Sequence, residues 1–262
     1  MLLSTLASGS SGNAAVLSGG RTNILIDAGI SNRRIIYGLK NLDIGKEDLG
    51  AIVITHEHSD HIRGLRVLIK NTSSPIYAPS GTARHIIRNV DGSEGRIIQF
   101  SPGDSFDVGD ISVISFPTPH DSISSCGYSF FHRREKVTCV TDFGHITDDI
   151  AEAVTGSDIL MLEANHDEDM LRYGPYPYFL KKRILSDQGH LSNSECGRLA
   201  VLAASSGTRR LILAHLSREN NTPGNAEEEV RKALSEAGAH DDSLTITVAS
   251  PDLQGSVHNT DK

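Results

Sequence analysis

One stretch of this chain decides its fold: His56-Glu57-His58-Ser59-Asp60-His61, which directly follows the apolar run 51–55. In an extended segment, side chains two positions apart share a face, so His56 and His58 point the same way. If the chain then turns into a helix, Asp60 and His61 address a second position nearby. Imidazole and carboxylate ligands without Cys suit divalent Zn, Mn or Fe better than Ca or Mg. The motif therefore predicts a metal site with room for two ions, and the competing interpretation is a solvated His-rich loop.

Length and composition are those of an ordinary globular protein, with 262 residues, 38% of them apolar and 22% charged. We expect one domain over residues 1–262, with a polar tail from about residue 251 that frays. No run approaches the roughly eighteen apolar residues that cross a membrane, and the first residues lack a secretory pattern. Three cysteines without CxxC spacing fit reduced thiols. We therefore expect a cytoplasmic protein that has no membrane partner.

The net charge of −8 speaks against a polyanionic partner, because nucleic-acid binding draws on clustered Lys and Arg. Two bound divalent cations would add positive charge where a phosphate would sit. Basic groups also remain at 33–34, 133–134, 181–183 and 209–210. The net charge alone therefore does not exclude nucleic acid.

Short β-rich runs alternate with helical stretches along the chain. Predicted strands are 23–27, 51–55, 75–78, 96–100, 111–116, 127–131, 137–141, 158–163, 211–215 and 244–248, with two further short strands around the loop 8–13. Predicted helices are 32–42, 61–70, 81–89, 148–154, 193–204 and 226–237. This pattern predicts sheets covered by helices.

Three more candidate ligands follow predicted strands at their carboxyl ends. His120 follows the strand 111–116 through a loop with proline on both sides of Thr118, which stiffens it. Asp142 follows the strand 137–141, and His215 ends the strand 211–215. Strand ends of this kind carry the functional groups in layered α/β architectures, so we expect all three to complete the metal site.

An early strand ending in Asp27, then HxHxDH, then His120, Asp142 and His215, resembles the metallo-β-lactamase superfamily. The resemblance implies an α/β (α+β) fold, a four-layer αββα sandwich with a dinuclear site at one edge of its two sheets. It also implies the metal ligands and their support. One ion takes His56, His58 and His120, the other takes Asp60, His61 and His215, Asp142 bridges the two, and Asp27 supports the motif from behind.

Several segments narrow the branch of that superfamily. Antibiotic-hydrolysing members typically carry Cys in place of Asp142 and lack the equivalent of His61. The segments 6–13, 163–167 and 189–193 resemble the small bacterial WalJ/YycJ family of DNA exonucleases. Large nuclease relatives carry an inserted β-CASP domain between the bridging Asp and the last His. Here that interval is too short to hold one, so we expect no β-CASP domain and expect residues 165–193 to select the substrate.

For residues that are not candidate metal ligands, we predict roles from their positions in the sequence. His190 precedes a predicted helix, and we expect it to protonate the leaving group or stabilise charge; the alternative is that it caps the helix or packs locally. We expect the aromatic residues Tyr173, Tyr176 and Tyr178 to pack on the core or surface. Phe143 departs from the family pattern, which more often has a small polar residue there. Expected substrate contacts are Ser10, Asn13, Asn165, His166, Ser192 and Asn193.

Together these features predict a dinuclear phosphodiesterase acting on nucleic acid, most simply a DNA exonuclease that digests from the 5′ end (5′ to 3′). The resemblance implies two divalent ions, Zn or Mn with Fe as a third option, whose bridging hydroxide attacks the phosphodiester. Asp60 is counted as catalytic as well as a ligand. Two alternatives stay open: a thioester or lactone hydrolase with the same centre, and a regulatory protein that binds nucleic acid without cutting it.

Overall fold

The computed structural model describes residues 1–239 and 243–260. Two seven-stranded sheets form its centre. The first sheet contains β1 (Leu2–Ala7), β2 (Ala14–Gly19), β3 (Thr22–Ile26), β4 (Leu49–Val53), β5 (Ile76–Pro79) and β6 (Ile97–Phe100). The second contains β7 (Ser105–Val108), β8 (Ile111–Pro117), β9 (Cys126–His132), β10 (Glu135–Val140), β11 (Ile159–Glu163), β12 (Arg210–Ala214) and β13 (Thr245–Val248). A last short strand, β14 (His258–Asn259), joins the first sheet.

Both sheets are antiparallel on one side and parallel on the other. The first sheet has the order β14-β1-β2-β3-β4-β5-β6 and is parallel from β3 to β6. The second has the order β13-β12-β11-β10-β9-β8-β7 and is parallel from β10 to β13. Parallel strands bring their carboxyl ends to one edge of a sheet, which is where a site can assemble.

Helices cover the outer face of each sheet. They are α1 (Asn32–Asn41), α2 (Ser59–Ile62), α3 (Leu65–Leu68), α4 (Ser80–Asn89), α5 (Asp148–Val154), α6 (Glu168–Tyr173), α7 (Tyr178–Ile184), α8 (Asn193–Ser205) and α9 (Pro223–Glu236). One apolar cluster fills the space between the sheets, with Leu17 and Phe130 fully buried in it. A second packs beneath α1 and α4, and a third beneath α5, α8 and α9. These three interfaces confirm the predicted four-layer αββα sandwich.

Most predicted elements are present, with informative exceptions. The helix expected over 61–70 is divided into α2 and α3, because the Gly64 N–H donates to the Ala28 carbonyl. A Cβ at Gly64 would lie 2.0 Å from the Ile30 carbonyl oxygen, so only glycine permits this approach. The sequence prediction missed β7, β14, α6 and α7. All four are short elements that depend on neighbours in space more than on local periodicity.

The chain after Pro251 does not fray as expected. The Gly255 N–H donates to the Thr5 carbonyl, and the Thr260 N–H donates to the Met1 carbonyl. Strand β14 pairs antiparallel with β1, so the expectation is wrong through Thr260, and residues 261–262 lie outside the described residues. This pairing supports our proposal that residues 1–262 form one domain without an inserted β-CASP domain. Among the described residues, no helix is both long and apolar enough to cross a membrane.

One buried hydrogen bond joins the two sheets next to the histidine motif. The Tyr128 hydroxyl, on β9, donates to the Ile54 carbonyl, two residues before His56. We expect Tyr128→Phe to lower the free energy of unfolding by about 1–3 kcal/mol, because a buried carbonyl loses its donor. Urea denaturation measures the change, and Tyr37→Phe is the control because Tyr37 is 66% exposed. Equal midpoints for the two variants would contradict the structural role of this bond.

Candidate metal centre

The candidate ligands meet at the edge where the parallel strands end. Asp27 follows β3, Asp142 follows β10 and His215 follows β12. All three adopt left-handed backbone conformations, with φ of 58°, 63° and 56°. Residues other than glycine adopt this region at a cost, so the surrounding structure must hold them there, and such residues concentrate at functional sites. The strands therefore end abruptly where their side chains meet.

One group of imidazoles consists of His56, His58 and His120. Each offers a nitrogen, and these atoms lie within 4.8 Å of one another. His58 Nδ1 lies 3.3 Å from His120 Nε2, and the rings of His56 and His58 are 4.6 Å apart. His56 and His120 are buried, whereas His58 is partly exposed. The group therefore has the spacing of three ligands converging on one position.

A second group consists of Asp60, His61 and His215. Asp60 Oδ2 lies 3.5 Å from both His61 Nε2 and His215 Nε2. Burial would raise the pKa of Asp60, but hydrogen bonds with His215 and His61 hold that pKa well below its usual range. Asp60 is therefore a carboxylate in this centre. Its side chain is 22% exposed, which leaves it accessible from the cleft.

Asp142 lies between the two groups. Its Oδ2 is 3.4 Å from His61 Nε2, and its Oδ1 is 3.8 Å from His120 Nε2 and 3.4 Å from His215 Nδ1. The carboxylate therefore contacts imidazoles from both groups. This is the position that a bridging ligand needs.

Unpartnered buried atoms provide a test of whether these residues fit a metal. His56 Nε2 and Asp142 Oδ2 are buried and have no hydrogen-bond partner within the described part of the chain. Buried polar atoms almost always have partners, so two orphans in one cluster require an explanation. Nitrogen and oxygen donors aimed at one another fit divalent transition ions. The residues present therefore fit the metal that the motif predicts.

The electrostatics of the cluster agree with a bound cation. Burial of His215 lowers its pKa, but Asp142, Asp60 and Glu163 outweigh this and raise the pKa to about 10. The pKa of the buried His61 is likewise raised well above its ordinary value, despite burial, with Asp142 as the largest charge acting on it. The carboxylates thus create a strong demand for positive charge. Divalent ions bound to these residues would meet that demand in place of protons.

Asp27 supports the motif from behind, where the resemblance places it. Its carboxylate accepts hydrogen bonds from the Thr55 N–H and the Thr55 hydroxyl and lies 2.7 Å from His61 Nδ1. With Nδ1 donating to Asp27, the Nε2 atom of His61 is free for the centre. A carboxylate behind a ligating imidazole fixes the tautomer and the ring orientation. The supporting role of Asp27 remains our proposal, and these contacts favour it.

Glu163 belongs to the centre, and the sequence interpretation did not assign it a role. It is fully buried at the end of β11, with Oε1 2.7 Å from His190 Nδ1 and 3.1 Å from His215 Nδ1. Its Oε2 accepts hydrogen bonds from the Phe143 and Leu191 N–H groups. The sequence contained a signal for Glu163, because this residue ends an apolar strand. Asp142 and His215 likewise follow apolar strands.

The contact with Glu163 holds His190 at the centre. Its ring centroid is 5.1 Å from that of His120 and 5.2 Å from that of His215, and its side chain is 18% exposed. The helix cap before α8 is Ser192, whose hydroxyl accepts the Glu195 N–H. The alternative that His190 caps this helix is therefore wrong. Its side chain instead pairs with Glu163.

The expected substrate contacts divide into several environments. Ser10 is exposed, whereas the Asn13 carboxamide lies 3.3 Å from Asp60 Oδ2 and 3.0 Å from His61 Nε2, inside the centre. Asn165 and His166 are both buried, and the Asn165 side-chain amide donates to the His215 carbonyl. Two more are held internally: Ser192 caps α8, and Asn193 exchanges hydrogen bonds with Asn221.

The unusual Phe143 does not line the cleft. Its side chain is fully buried in the cluster beneath the second sheet. The Gly144 N–H donates to the Pro119 carbonyl, and a Cβ there would lie 2.3 Å from the Ser186 carbonyl oxygen. His145 Nδ1 lies 2.9 Å from the Asp187 carbonyl oxygen. The segment 143–145 therefore connects the His120 loop to the end of α7.

A protein-family model described as a beta-lactamase superfamily domain matches residues 22–216. The chain belongs to the metallo-β-lactamase superfamily. It is 37% identical to "Exodeoxyribonuclease YycJ" of Bacillus anthracis, over 90% of this chain and 89% of the relative. It is 39% identical to "Exodeoxyribonuclease WalJ" of Streptococcus pneumoniae serotype 2, over 83% and 82%. The WalJ/YycJ resemblance is thus confirmed, and the chain is a metal-dependent hydrolase.

Solved structures agree on the fold. The metallo-β-lactamase fold protein YhfI from Bacillus subtilis superposes with a TM-score of 0.74 and 18% sequence identity, covering 98% of both chains. At this identity the likeness shows the αββα architecture and no more. The substrate must be inferred from the site itself.

The separation into two groups predicts metal stoichiometry. We expect two divalent ions per reconstituted wild-type chain and one ion in His58→Ala or His215→Ala. Asp142→Asn should weaken the binding of both ions, because the Asp142 carboxylate contacts both groups. Elemental analysis after gel filtration measures the content. His85→Ala, outside the centre on α4, is the control and should retain two. One ion in the fully reconstituted wild type would exclude a dinuclear centre.

Proposed function

We propose that this protein is a dinuclear metal-dependent phosphodiesterase, a DNA exonuclease that digests from the 5′ end. The observation that carries the proposal is the pair formed by the buried Glu163 and the partly exposed His190 beside the two ligand groups, with 2.7 Å between Oε1 and Nδ1. Cleavage of a phosphodiester needs a proton for the departing oxygen as well as charge neutralisation. The names of the relatives, exodeoxyribonucleases, support the same substrate.

The ligand assignment follows from the two groups and the residue between them. Zn or Mn, with Fe as a third option, fits these nitrogen and oxygen donors. Two such ions, when bound, supply activation of water and neutralisation of phosphoryl charge. In this proposal His56, His58 and His120 would hold one ion, Asp60, His61 and His215 would hold the other, and Asp142 would be a ligand to both.

His190 is the proton donor in this proposal. Its Nδ1–H donates to Glu163, which fixes the ring and leaves Nε2 as the nitrogen that faces a substrate oxygen. In this role Nε2 delivers a proton to the leaving oxygen, while the hydrogen bond from Nδ1 to Glu163 keeps the ring in place. Glu163 is in turn held by the N–H groups of Phe143 and Leu191. Glu163 thus acts through His190 and is a positioning residue.

Asp60 has a second role beyond ligation. Its side chain is the most exposed carboxylate among Asp27, Asp60, Asp142 and Glu163. The Asn13 amide donates to Oδ2 over 3.3 Å, which orients the carboxylate. Asp60 can therefore accept a hydrogen bond from the attacking water. Ser10, on the same loop as Asn13, is exposed, and we assign it to a backbone phosphate.

A cytoplasmic location fits this activity. All three cysteines, Cys126, Cys139 and Cys196, are free and buried. Proteins of oxidising compartments more often pair their cysteines as disulfides. We therefore propose that the protein acts on its substrate in the cytoplasm and has no membrane partner.

The proposal is tested with end-labelled substrates. Metal-reconstituted protein is incubated with 5′-labelled and 3′-labelled single-stranded and duplex DNA, with RNA, and with a thioester and a lactone. We expect a 5′ label to leave as mononucleotide at once and a 3′ label to leave last. Turnover of the thioester or lactone without DNA cleavage would replace the nuclease with an acyl hydrolase. DNA binding without cleavage would make the protein a nucleic-acid-binding regulator.

The proton-donor role of His190 predicts a specific defect. We expect His190→Ala to lower kcat on DNA about 100-fold, as the loss of a general acid does, while two ions remain bound. The matched control is His145→Ala, because His145 is an exposed histidine on the adjoining loop. Steady-state kinetics and elemental analysis are measured on the same samples. Unchanged kcat, or loss of an ion in His190→Ala, would remove the proposed role.

A further inference from the structure

The short helices α6 and α7 present an unusual aromatic surface. Tyr173, Tyr178 and Phe179 are 80%, 81% and 73% exposed. Among the six tyrosines and seven phenylalanines of the chain, the only other strongly exposed one in the described residues is Tyr37. The sequence interpretation placed these tyrosines in core or surface packing, yet Tyr173 and Tyr178 are almost free of contacts. Large apolar side chains that cluster in solvent mark an interaction site.

Positive charge lies beside one of these rings. Tyr178 and Lys182 lie one helical turn apart on α7, and both line an open cavity of about 480 Å³ together with Arg172 of α6. Arg172 is 61% exposed, and its ion pair with Asp169 is long, at 3.9 Å. Lys182 has no hydrogen bond or ion pair within residues 1–239 and 243–260. Two exposed cations therefore lie beside the Tyr178 ring.

The other two basic residues of the run 181–183 form internal contacts. Lys181 Nζ donates to the Arg172 and Gly174 carbonyls, 2.8 Å each, and so fixes the end of α6 against α7. Arg183 forms a two-point ion pair with Asp121. Lys181 therefore joins α6 to α7, and Arg183 joins α7 to the loop after His120.

Helix α7 lies next to the loop that carries His120. Asp121, the partner of Arg183, directly follows His120, and its Oδ1 lies 3.5 Å from His120 Nε2. The carbonyl of Gly189, which follows α7 in the chain, lies 3.1 Å from His120 Nδ1. The helix that carries Tyr178 and Lys182 is therefore attached to a loop of the metal centre.

We propose that the α6–α7 surface, formed by Tyr173, Tyr178, Phe179, Arg172 and Lys182, binds single-stranded DNA by base stacking and delivers it to the metal centre. This inference rests on the proposed nuclease function and specifies the strand that the enzyme holds. Exposed rings stack on unpaired bases of any sequence, and the adjacent cations neutralise the phosphates between them. The surface thus supplies local affinity that the net charge of −8 does not.

The chemistry favours this occupant over two others. In a duplex the base faces are covered by their neighbours, so the rings would have nothing to stack on. A second copy of this chain related by a two-fold axis would bring Arg172 and Lys182 against the same cations of its partner. Only an anionic chain with open base faces satisfies both the rings and the charges.

The binding test uses an oligothymidylate of about 20 nucleotides with phosphorothioate linkages, which resists cleavage, and an abasic oligonucleotide of equal length. Fluorescence anisotropy with the metal-loaded full chain gives Kd. We expect Tyr178→Ala and Phe179→Ala each to raise Kd for oligothymidylate about 5- to 100-fold. Affinity for the abasic strand should stay the same, because it has charge but no bases. Tyr178→Phe should retain wild-type affinity, and Tyr37→Ala on α1 is the exposed control.

Arg172 and Lys182 allow an independent test of DNA binding. Replacing Arg172 and Lys182 by Ala should make log Kd depend less steeply on log salt concentration, by about 0.7 for each phosphate that the variant no longer neutralises. In this variant, affinity for the abasic strand should fall along with affinity for oligothymidylate. An unchanged salt slope would overturn the assignment of these cations to phosphates.

A small phosphodiester separates this inference from the proposed function. Bis(p-nitrophenyl) phosphate needs the metal centre but not the aromatic surface, so Tyr178→Ala should hydrolyse it at the wild-type rate. No hydrolysis by the wild type would count against the nuclease proposal itself. If the wild type hydrolyses this substrate but Tyr178→Ala and Phe179→Ala both bind oligothymidylate with the wild-type Kd, the proposed stacking surface is wrong. A change in sedimenting mass with unchanged DNA affinity would assign the surface to a second copy of the chain instead.

Discussion

Three buried carboxylates, Asp27, Asp142 and Glu163, and the partly exposed Asp60 meet the same few imidazoles at one edge of the sandwich. Charges in an interior are tolerated only when opposite charge or hydrogen bonds offset the lost hydration. Here the imidazoles and backbone N–H groups supply part of the compensation, and the unpartnered atoms point to bound ions for the remainder. The left-handed backbone at Asp27, Asp142 and His215 follows from this requirement, because each strand must stop where its side chain reaches the centre.

The two packed sheets allow these carboxylates and imidazoles to meet. Parallel pairing in both sheets brings strand ends from distant parts of the sequence to one edge, so Asp27 and His215 approach the same histidine motif. Close backbone contacts then set the motif itself. A Cβ at Gly29 would lie 1.5 Å from the Asp60 carbonyl oxygen, and so only glycine allows the loop after β3 to lie against α2. The core therefore determines ligand geometry through backbone position as well as through packing.

Chemistry and substrate choice are located in different parts of the molecule. The metal centre is built from strand ends shared by a superfamily whose members act on many substrates, so the fold alone does not select one. The part of the chain that carries α6 and α7 buries few side chains within these two helices, Leu171 in α6 and Ile184 in α7. It nevertheless lies against the His120 loop through Asp121 and Gly189. A segment attached in this way can change its surface without disturbing the ligands, which favours it as the part that selects the substrate.

The sequence by itself determined the candidate ligands, because His56 to His61 and the strand-end residues His120, Asp142 and His215 are local features with distinctive spacing, and the architecture followed from their resemblance to the superfamily. It could not reveal that Glu163 pairs with His190, since the two are 27 positions apart and meet only when β11 and the loop before α8 are placed together. It also did not show that Asn165 and His166, which follow the same strand, are buried. Whether Tyr173 and Tyr178 are buried or exposed was likewise decided by tertiary structure. Local patterns fix which groups are available, but only packing decides which of them face one another, the core or the solvent.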